Sequence, residues 1–373
     1  MLKILVFIDW YKPAYKAGGP ISSVYNLTEL LGDEIQFYII TSDRDLNEKL
    51  PLEGLKYDQW VDQGKVKVRY LRRNQEKRRV LKEVVEQLSP DRIYLNGVFS
   101  YFYSILPLVL FRNHHKIISS RGMLIKEALK IKPFKKQCFL LLMKWVKAYQ
   151  NVIWQFSNEQ EYQESQKSVS IKRYYIIPNL TKRIKVKSVL ENSSFELISV
   201  CRVNKIKNIH FFLNVLKEVD FECNYSIVGS IEDKDYYNEL KRLIKELPPK
   251  VTVQFDGPKP YHEIEKKLAH SSLFISTSKN ENYGHSIIEA LGNGIPVLVS
   301  KACPWKQLES YHAGYRLPFE KSVFLEKLTE YKVKSREEKN QFKKGAIAYY
   351  QKFANPIHFK NSYIELFEAK ARH

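Results

Sequence analysis

Short β-rich runs alternate with stretches of helical periodicity from one end of this chain to the other. That alternation constrains the fold more than any single motif. A β-run, an amphipathic helix and another β-run close as parallel strands with the helix laid across the sheet. In the first half the runs lie at residues 3–9, 36–42, 65–70, 92–95, 116–119, 152–156 and 174–177. Helical stretches such as 80–88, 101–111 and 134–149 fall between them. A second series starts at 195–200 and repeats at 224–228, 251–255, 273–276 and 296–299. Two series in 373 residues predict an α/β chain of two Rossmann-like domains, their parallel sheets facing each other across a cleft. The first domain is expected over 1–180 and the second over 181–356, joined by a Pro-, Lys- and Ser-containing linker at 178–194. A C-terminal helix at about 357–373 is expected to pack back on the first domain. In such sheets a ligand binds at the carboxyl ends of the strands.

Composition narrows the partners. The formal charge is +20, from 61 Lys and Arg against 41 Asp and Glu. Such an excess draws polyanions, whether nucleic acid, anionic lipid or a nucleotide diphosphate, without choosing among them. The four cysteines are scattered, with no CxxC pair, which argues against both zinc and a disulfide framework. Cys201 and Cys223 sit in apolar runs and read as buried, inert thiols. The N-terminal apolar run has strand length and lacks the features of a secretory leader. No run of about 18 apolar residues is present to span a bilayer. The expected address is a reducing cytoplasm.

The segment 276–300, STSKNENYGHSIIEALGNGIPVLVS, reads as strand, loop, helix, Gly turn and strand. Gly284 permits an unusual backbone at the helix entrance, where unpaired N–H groups suit an anionic diphosphate. Ile287, Ile288 and Leu291 have the spacing to face the sheet, while His285 and Glu289 share another face, and Gly294 ends the helix. Glu281 and Glu289, with seven residues between them, can address two hydroxyl-bearing parts of one ligand; the bare spacing equally suits a surface helix. Upstream, Arg202 follows the first run of the second series and Lys207 comes five residues later. Two cations at a strand's carboxyl end can neutralise a departing pyrophosphate.

Glu281, Gly284, Glu289, Ala290-Leu291, Gly294 and Pro296-Val297 together resemble the E-x7-E signature of the family 4 retaining glycosyltransferases, which have the GT-B fold. The resemblance implies that Glu281 contacts the donor sugar hydroxyls and Glu289 the ribose hydroxyls, with Tyr283, His285 and Ser286 completing the donor site around Gly284. It also implies that Arg202 and Lys207 grip the donor diphosphate. AYKAGGPISSVYNL, holding Gly18 and Gly19, resembles the N-terminal loop of polysaccharide-assembling members, where it faces donor phosphate and acceptor. A Gly-Gly pair by itself is more often only a turn. The SRGML string around Arg121, the Pro178-Asn179 junction and Pro304-Trp305 are similar to the same subgroup. Many members carry a histidine in the cleft at the end of a first-domain strand; here the segment reads IYLNGVFS, with Asn96 in that place. Asn96 and Arg121 are the acceptor-side candidates.

Asp43-Arg44-Asp45 and Asp233-Lys234-Asp235 are D-x-D strings, which hold a divalent metal in another glycosyltransferase fold. Short acidic strings are common in surface loops, and no metal or other cofactor is expected here. Between Lys126 and Tyr149, lysines surround an apolar stripe of Phe139, Leu142, Trp145 and Val146. Two readings stay open for 126–149: docking on the anionic inner face of a membrane, or a core helix with solvated lysines. No nucleic-acid-binding motif accompanies the charge.

The expected reaction is retaining transfer of a sugar from a UDP- or GDP-sugar to a hydroxyl of a glycan or lipid-linked glycan, in assembly of a capsule, exopolysaccharide or O-antigen. No Asp or Glu stands out as a covalent nucleophile, so a front-face path in which the leaving phosphate helps take the acceptor proton fits better. Rival readings are a nucleotide-sugar epimerase or phosphorylase of the same fold, or a non-catalytic basic protein binding membrane or nucleic acid.

Overall fold

The computed structural model describes residues 1–73, 76–130, 132–184 and 194–369. The chain divides into two compact units, one comprising Met1–Leu180 with the segment from Pro356 onward, the other Thr181–Asn355. Of the linker expected at 178–194, residues 185–193 lie outside the described residues.

Among the described residues, the sheet of the first unit holds eight strands: β1 (Leu2–Phe7), β2 (Ile35–Ser42), β3 (Trp60–Gln63), β4 (Val66–Leu71), β5 (Arg92–Asn96), β6 (Lys116–Ser119), β7 (Val152–Phe156) and β8 (Arg173–Ile176). Their order is β3-β4-β2-β1-β5-β6-β7-β8, with every neighbouring pair parallel except β3 and β4. Both faces are covered, which is why the central strands read as unbroken apolar runs. Ile4 and Val6 enter one core with Val24, Leu27 and Phe37, and Leu5 and Phe7 enter the other with Val80, Leu81 and Val84. The last helix, Lys360–Glu368, contributes Tyr363, Leu366 and Phe367 to the first of these cores. Phe367 meets Tyr94 edge-on at 5.4 Å, and Arg92 Nη2 donates to the Ala369 carbonyl at 3.0 Å.

The second unit follows with β9 (Glu196–Val200), β10 (Cys223–Val228), β11 (Val251–Gly257), β12 (Leu273–Ser276), β13 (Val297–Ser300) and β14 (Gly314–Leu317). These form an all-parallel sheet in the order β11-β10-β9-β12-β13-β14. In each sheet the chain winds away from two adjacent strands in opposite directions, from β1 and β5 in the first and from β9 and β12 in the second. The carboxyl ends of those pairs are the topological switch points, where open α/β sheets receive ligands. Burial pushes the Cys201 and Cys223 thiols up to about 11, so both stay protonated at neutral pH.

Several local expectations change. The edge strands β3 and β14 were not visible as β-runs. The helical stretch 101–111 divides into a π-helical turn, Tyr101–Ile105, and a short α-helix, Leu106–Leu110. The helix expected over 134–149 spans Pro133–Trp145. Its core stripe is Leu140 and Met143, buried, with Phe139 and Val146 partly so, whereas Leu142 and Trp145 stand 54% and 81% exposed. Phe139 packs edge-on against Phe99 at 5.5 Å, and Lys136 Nζ lies 5.1 Å over the same Phe99 ring. Those contacts set the helix rotation and turn Leu142 and Trp145 outward.

Candidate functional site

After β12 the chain makes a loop, 277–284, and then enters the helix His285–Gly292. Gly284 caps that helix at φ +78°, a left-handed backbone suited to glycine. A Cβ there would also stand 2.8 Å from Ile287 Cδ1 and 3.2 Å from Glu281 Cγ. Ile287, Ile288 and Leu291 are buried and anchor the helix to its sheet. Gly292 completes the seating, since a Cβ on it would lie 2.3 Å from Ile184 Cδ1. Ile287 N and Ile288 N both donate to the Gly284 carbonyl, at 3.0 and 3.2 Å, and close the first turn of the helix.

The β9 side is built by capping. Asn204 accepts from Ile206 N at 3.1 Å and Lys207 N at 3.3 Å, closing the turn Lys205–Lys207. Two bonds tie this turn to the β12 loop: Lys279 N donates to Ile206 O at 2.8 Å, and Thr277 Oγ1 donates to Asn208 O at 3.1 Å. The result is a direct contact between residues far apart in sequence. Lys207 Nζ donates to Glu281 Oε2 at 2.6 Å, their side chains only 20% and 17% exposed. Burial opposes the Lys207 charge, but the Glu281 carboxylate outweighs it and holds the ammonium pKa above its ordinary value. A small pocket beside this pair is lined by Ser199, Ser276, Thr277 and Ser286.

Arg202 pairs with a carboxylate beyond the end of the neighbouring strand. It is exposed, and its Nη1 donates to Glu232 Oε1 at 2.7 Å, while Asn204 Nδ2 donates to Glu232 Oε2 at 2.5 Å. Glu232, Asn204, Thr277 and Gly229 were not singled out in the sequence. Gly229 lets two strands approach, for a Cβ on it would stand 1.9 Å from the Cys201 carbonyl oxygen. A glycine directly after a β-run is the signal that could have found it.

Glu289 lies on the helix and is buried at 7% exposure. Burial pushes its carboxyl up to about 7, with the Lys182 charge acting the other way. Tyr283 is also buried, its ring 4.9 Å from that of His285 and 5.1 Å from that of Trp305, and burial raises its phenol pKa far above the ordinary value. Trp305 Nε1 donates to the Tyr283 carbonyl at 2.5 Å, so the Pro304-Trp305 segment braces the loop. His285 and Ser286 remain partly exposed at the helix entrance.

Four candidates belong to the first unit. Gly18 caps the helix Gly19–Leu31 at φ +67°, Gly19 is its first residue, and Pro20 follows within the first turn. Asn96 ends β5, buried; its Nδ2 donates to Phe7 O at 3.4 Å and its Oδ1 accepts from Arg121 Nη2 at 2.5 Å. Arg121, at φ +51°, donates further to Ser23 Oγ at 2.6 Å and to Asn179 Oδ1. These two residues therefore bond each other as part of an internal network. The D-x-D aspartates have local work: Asp45 accepts from Tyr15 N at 2.9 Å and Lys16 N at 3.2 Å, and Asp233 caps the helix Lys234–Ile244 through Tyr236 N. Among the described residues no three His, Cys, Asp or Glu side chains are grouped to hold a metal ion, and no helix is long and apolar enough to cross a membrane.

Residues 181–348, just under half of the chain, match the family described as Glycosyl transferases group 1. An alpha-monoglucosyldiacylglycerol synthase of Streptococcus pneumoniae is 30% identical over 121 residues, 31% of this chain and 26% of that protein. The match thus spans about a quarter of the relative's length. Among solved structures, a sucrose-phosphate synthase from Thermosynechococcus elongatus aligns over 98% of both chains with a TM-score of 0.75 at 15% identity. HepE from Anabaena, solved with UDP-glucose, aligns over 98% of this chain and 99% of its own, with a TM-score of 0.72 at 16% identity. At such identities the likeness is one of fold. The chain therefore has the GT-B fold, and its second unit matches the Glycosyl transferases group 1 family over residues 181–348.

Proposed function

We propose that the chain is a retaining glycosyltransferase that moves a sugar from a UDP- or GDP-sugar to a hydroxyl of a glycan or lipid-linked glycan. The observation that carries this reading is the 2.6 Å contact of Lys207 with Glu281 at the switch point of a unit matching the group 1 family. In it Glu281 orients the sugar hydroxyls and Glu289 those of the ribose. As the bond from the anomeric carbon to the β-phosphate oxygen breaks, the acceptor oxygen bonds to that carbon on the same face. The acceptor proton passes to the departing phosphate. Arg202, Lys207 and the N–H groups at His285 meet the charge that grows there. Lys207 is already held close to the site by Glu281, so little reorganisation is needed when the diphosphate arrives. No metal or other cofactor takes part. Gly18 and Gly19 bring backbone toward donor phosphate, and Asn96 and Arg121 shape the acceptor side. The role is surface-polysaccharide assembly at the inner face of a membrane, touched peripherally through 126–149; the N-terminal Gly-Gly loop and the SRGML string support it.

The test is calorimetric titration of the purified chain with a panel of nucleoside diphosphate sugars, followed by product analysis with glycan acceptors. One donor is expected to bind and to be consumed with its anomeric configuration kept. Glu281→Ala is expected to lose at least a hundredfold in turnover. No binding by any donor, or turnover in Glu281→Ala within twofold of the parent, would overturn the reading.

A further inference from the structure

The helix Pro133–Trp145 is apolar on two opposite faces. One face carries Leu140 and Met143 into the core. On the other stand Phe134, Cys138, Leu141 and Trp145, spaced by four, three and four residues, which at 3.6 residues per turn is one straight stripe. Phe134, Leu141 and Trp145 are 77%, 66% and 81% exposed, and Cys138 is exposed among them. Leu142 extends the stripe on one side. A helix apolar all round belongs in an interior, yet half of this one meets solvent.

Charge identifies what covers it. From Glu127 to Glu159 no Asp or Glu intervenes, while Lys130, Lys132, Lys135, Lys136, Lys144 and Lys147 all fall in the interval. Lys132, Lys135, Lys144 and Lys147 are exposed around the stripe. A nucleic acid would satisfy the lysines but leave Phe134, Leu141 and Trp145 in water. An anionic bilayer satisfies both, taking the rings and leucines at the headgroup boundary and the ammonium groups at the phosphates. We propose that the stripe Phe134, Cys138, Leu141 and Trp145, with its flanking lysines, is the surface on which this chain lies against an anionic bilayer, helix parallel to the membrane plane. This rests on the reading of a membrane contact through 126–149 and narrows it to one face of one helix.

The test is flotation with vesicles of equal phosphatidylglycerol and phosphatidylcholine against vesicles of phosphatidylcholine alone. The parent chain is expected to bind the anionic vesicles at least tenfold better, and less well as NaCl rises. The triple variant F134S/L141S/W145S and the quadruple K132Q/K135Q/K144Q/K147Q are each expected to lose at least tenfold on anionic vesicles. Both should keep the parental melting temperature and turnover on a soluble acceptor. A polarity-sensitive dye on Cys138 should shift to shorter wavelength with anionic vesicles only. If the triple variant binds like the parent, or the dye does not respond, the stripe is not the docking face, though membrane contact elsewhere survives. If the parent does not bind anionic vesicles, the membrane reading falls with it, while turnover on a soluble acceptor leaves glycosyl transfer standing. If the triple variant instead turns a dimer into a monomer at unchanged vesicle binding, the stripe covers a second copy and the proposal is wrong.

Discussion

Glu281 and Glu289 are the same group in opposite surroundings, one against an ammonium and the other in an apolar burial. Burial sets Glu289 near 7, against an ordinary value of 4.5. Between those values the folded chain keeps a proton that the unfolded chain has released, so stability falls as pH rises across the window. The loss is complete above the folded value and is about 3 kcal/mol. Donor hydroxyls bond an ionised carboxylate more strongly than a neutral one. Donor affinity measured by calorimetry should therefore climb as pH rises through 7 and level off above it. Glu289→Gln should bind at least tenfold more weakly at pH 8 and lose that climb. A parental affinity flat from pH 6 to 8 would remove Glu289 from ribose binding. Glu281 and Glu289 were legible in the sequence through the E-x7-E string they share, and Lys207 through its place shortly after a β-run. The contact of Lys207 with Glu281 was not, since it depends on β9 and β12 being neighbours and on the Lys279 N to Ile206 O bond. Glu232 gave no signal at all, being one acidic loop residue among many.

At the scale of the element, the helix His285–Gly292 depends on one backbone conformation at its entrance. Gly284 and Gly18 both cap helices at positive φ, Gly284 in the left-handed region at φ +78° and ψ 58°, Gly18 at φ +67° and ψ −115°. Their surroundings differ. A Cβ on Gly18 meets nothing within 4 Å, while one on Gly284 meets Ile287 and Glu281. Gly18→Ala should cost the strain of a backbone at φ +67° and ψ −115°, which glycine alone adopts freely, without any added side-chain contact. Gly284→Ala should also meet Ile287 and Glu281, and should weaken donor binding about tenfold or more, because relief of the contact moves Glu281. Equal effects of the two substitutions on donor affinity would show that the loop conformation does not govern the site. The central strands were legible because cover on both faces leaves an unbroken apolar run. The edge strands β3, WVDQ, and β14, GYRL, are short and mixed, and they gain their pairing from a neighbour already in place. The rotation of the helix Pro133–Trp145 stayed open in the sequence for a related reason: with apolar residues on two opposite faces, spacing alone does not say which face is inside.

At the scale of the whole molecule, the two series of runs correspond to two sheets, one parallel but for the β3–β4 pair and one parallel throughout, and each carries its own switch point. The donor-site candidates fall unequally between them, with Arg202, Lys207, Glu281 and the helix at His285 in the second unit and Gly18 and Gly19 in the first. Hydrogen exchange with a nucleoside diphosphate alone separates these contributions. Amides over 201–208 and 277–292 should slow most, with a smaller effect at 18–22, where the helix Gly19–Leu31 begins. Amides that exchange only through unfolding of the second unit should slow about a hundredfold at a nucleotide concentration near 100 times its dissociation constant. The lysines over 130–147, on the proposed bilayer-docking surface, should show no change. Protection confined to 18–22 would move the donor site to the first unit. Protection at 130–147 would mean that the +20 charge, rather than the loop and helix around Glu281, is what holds the nucleotide.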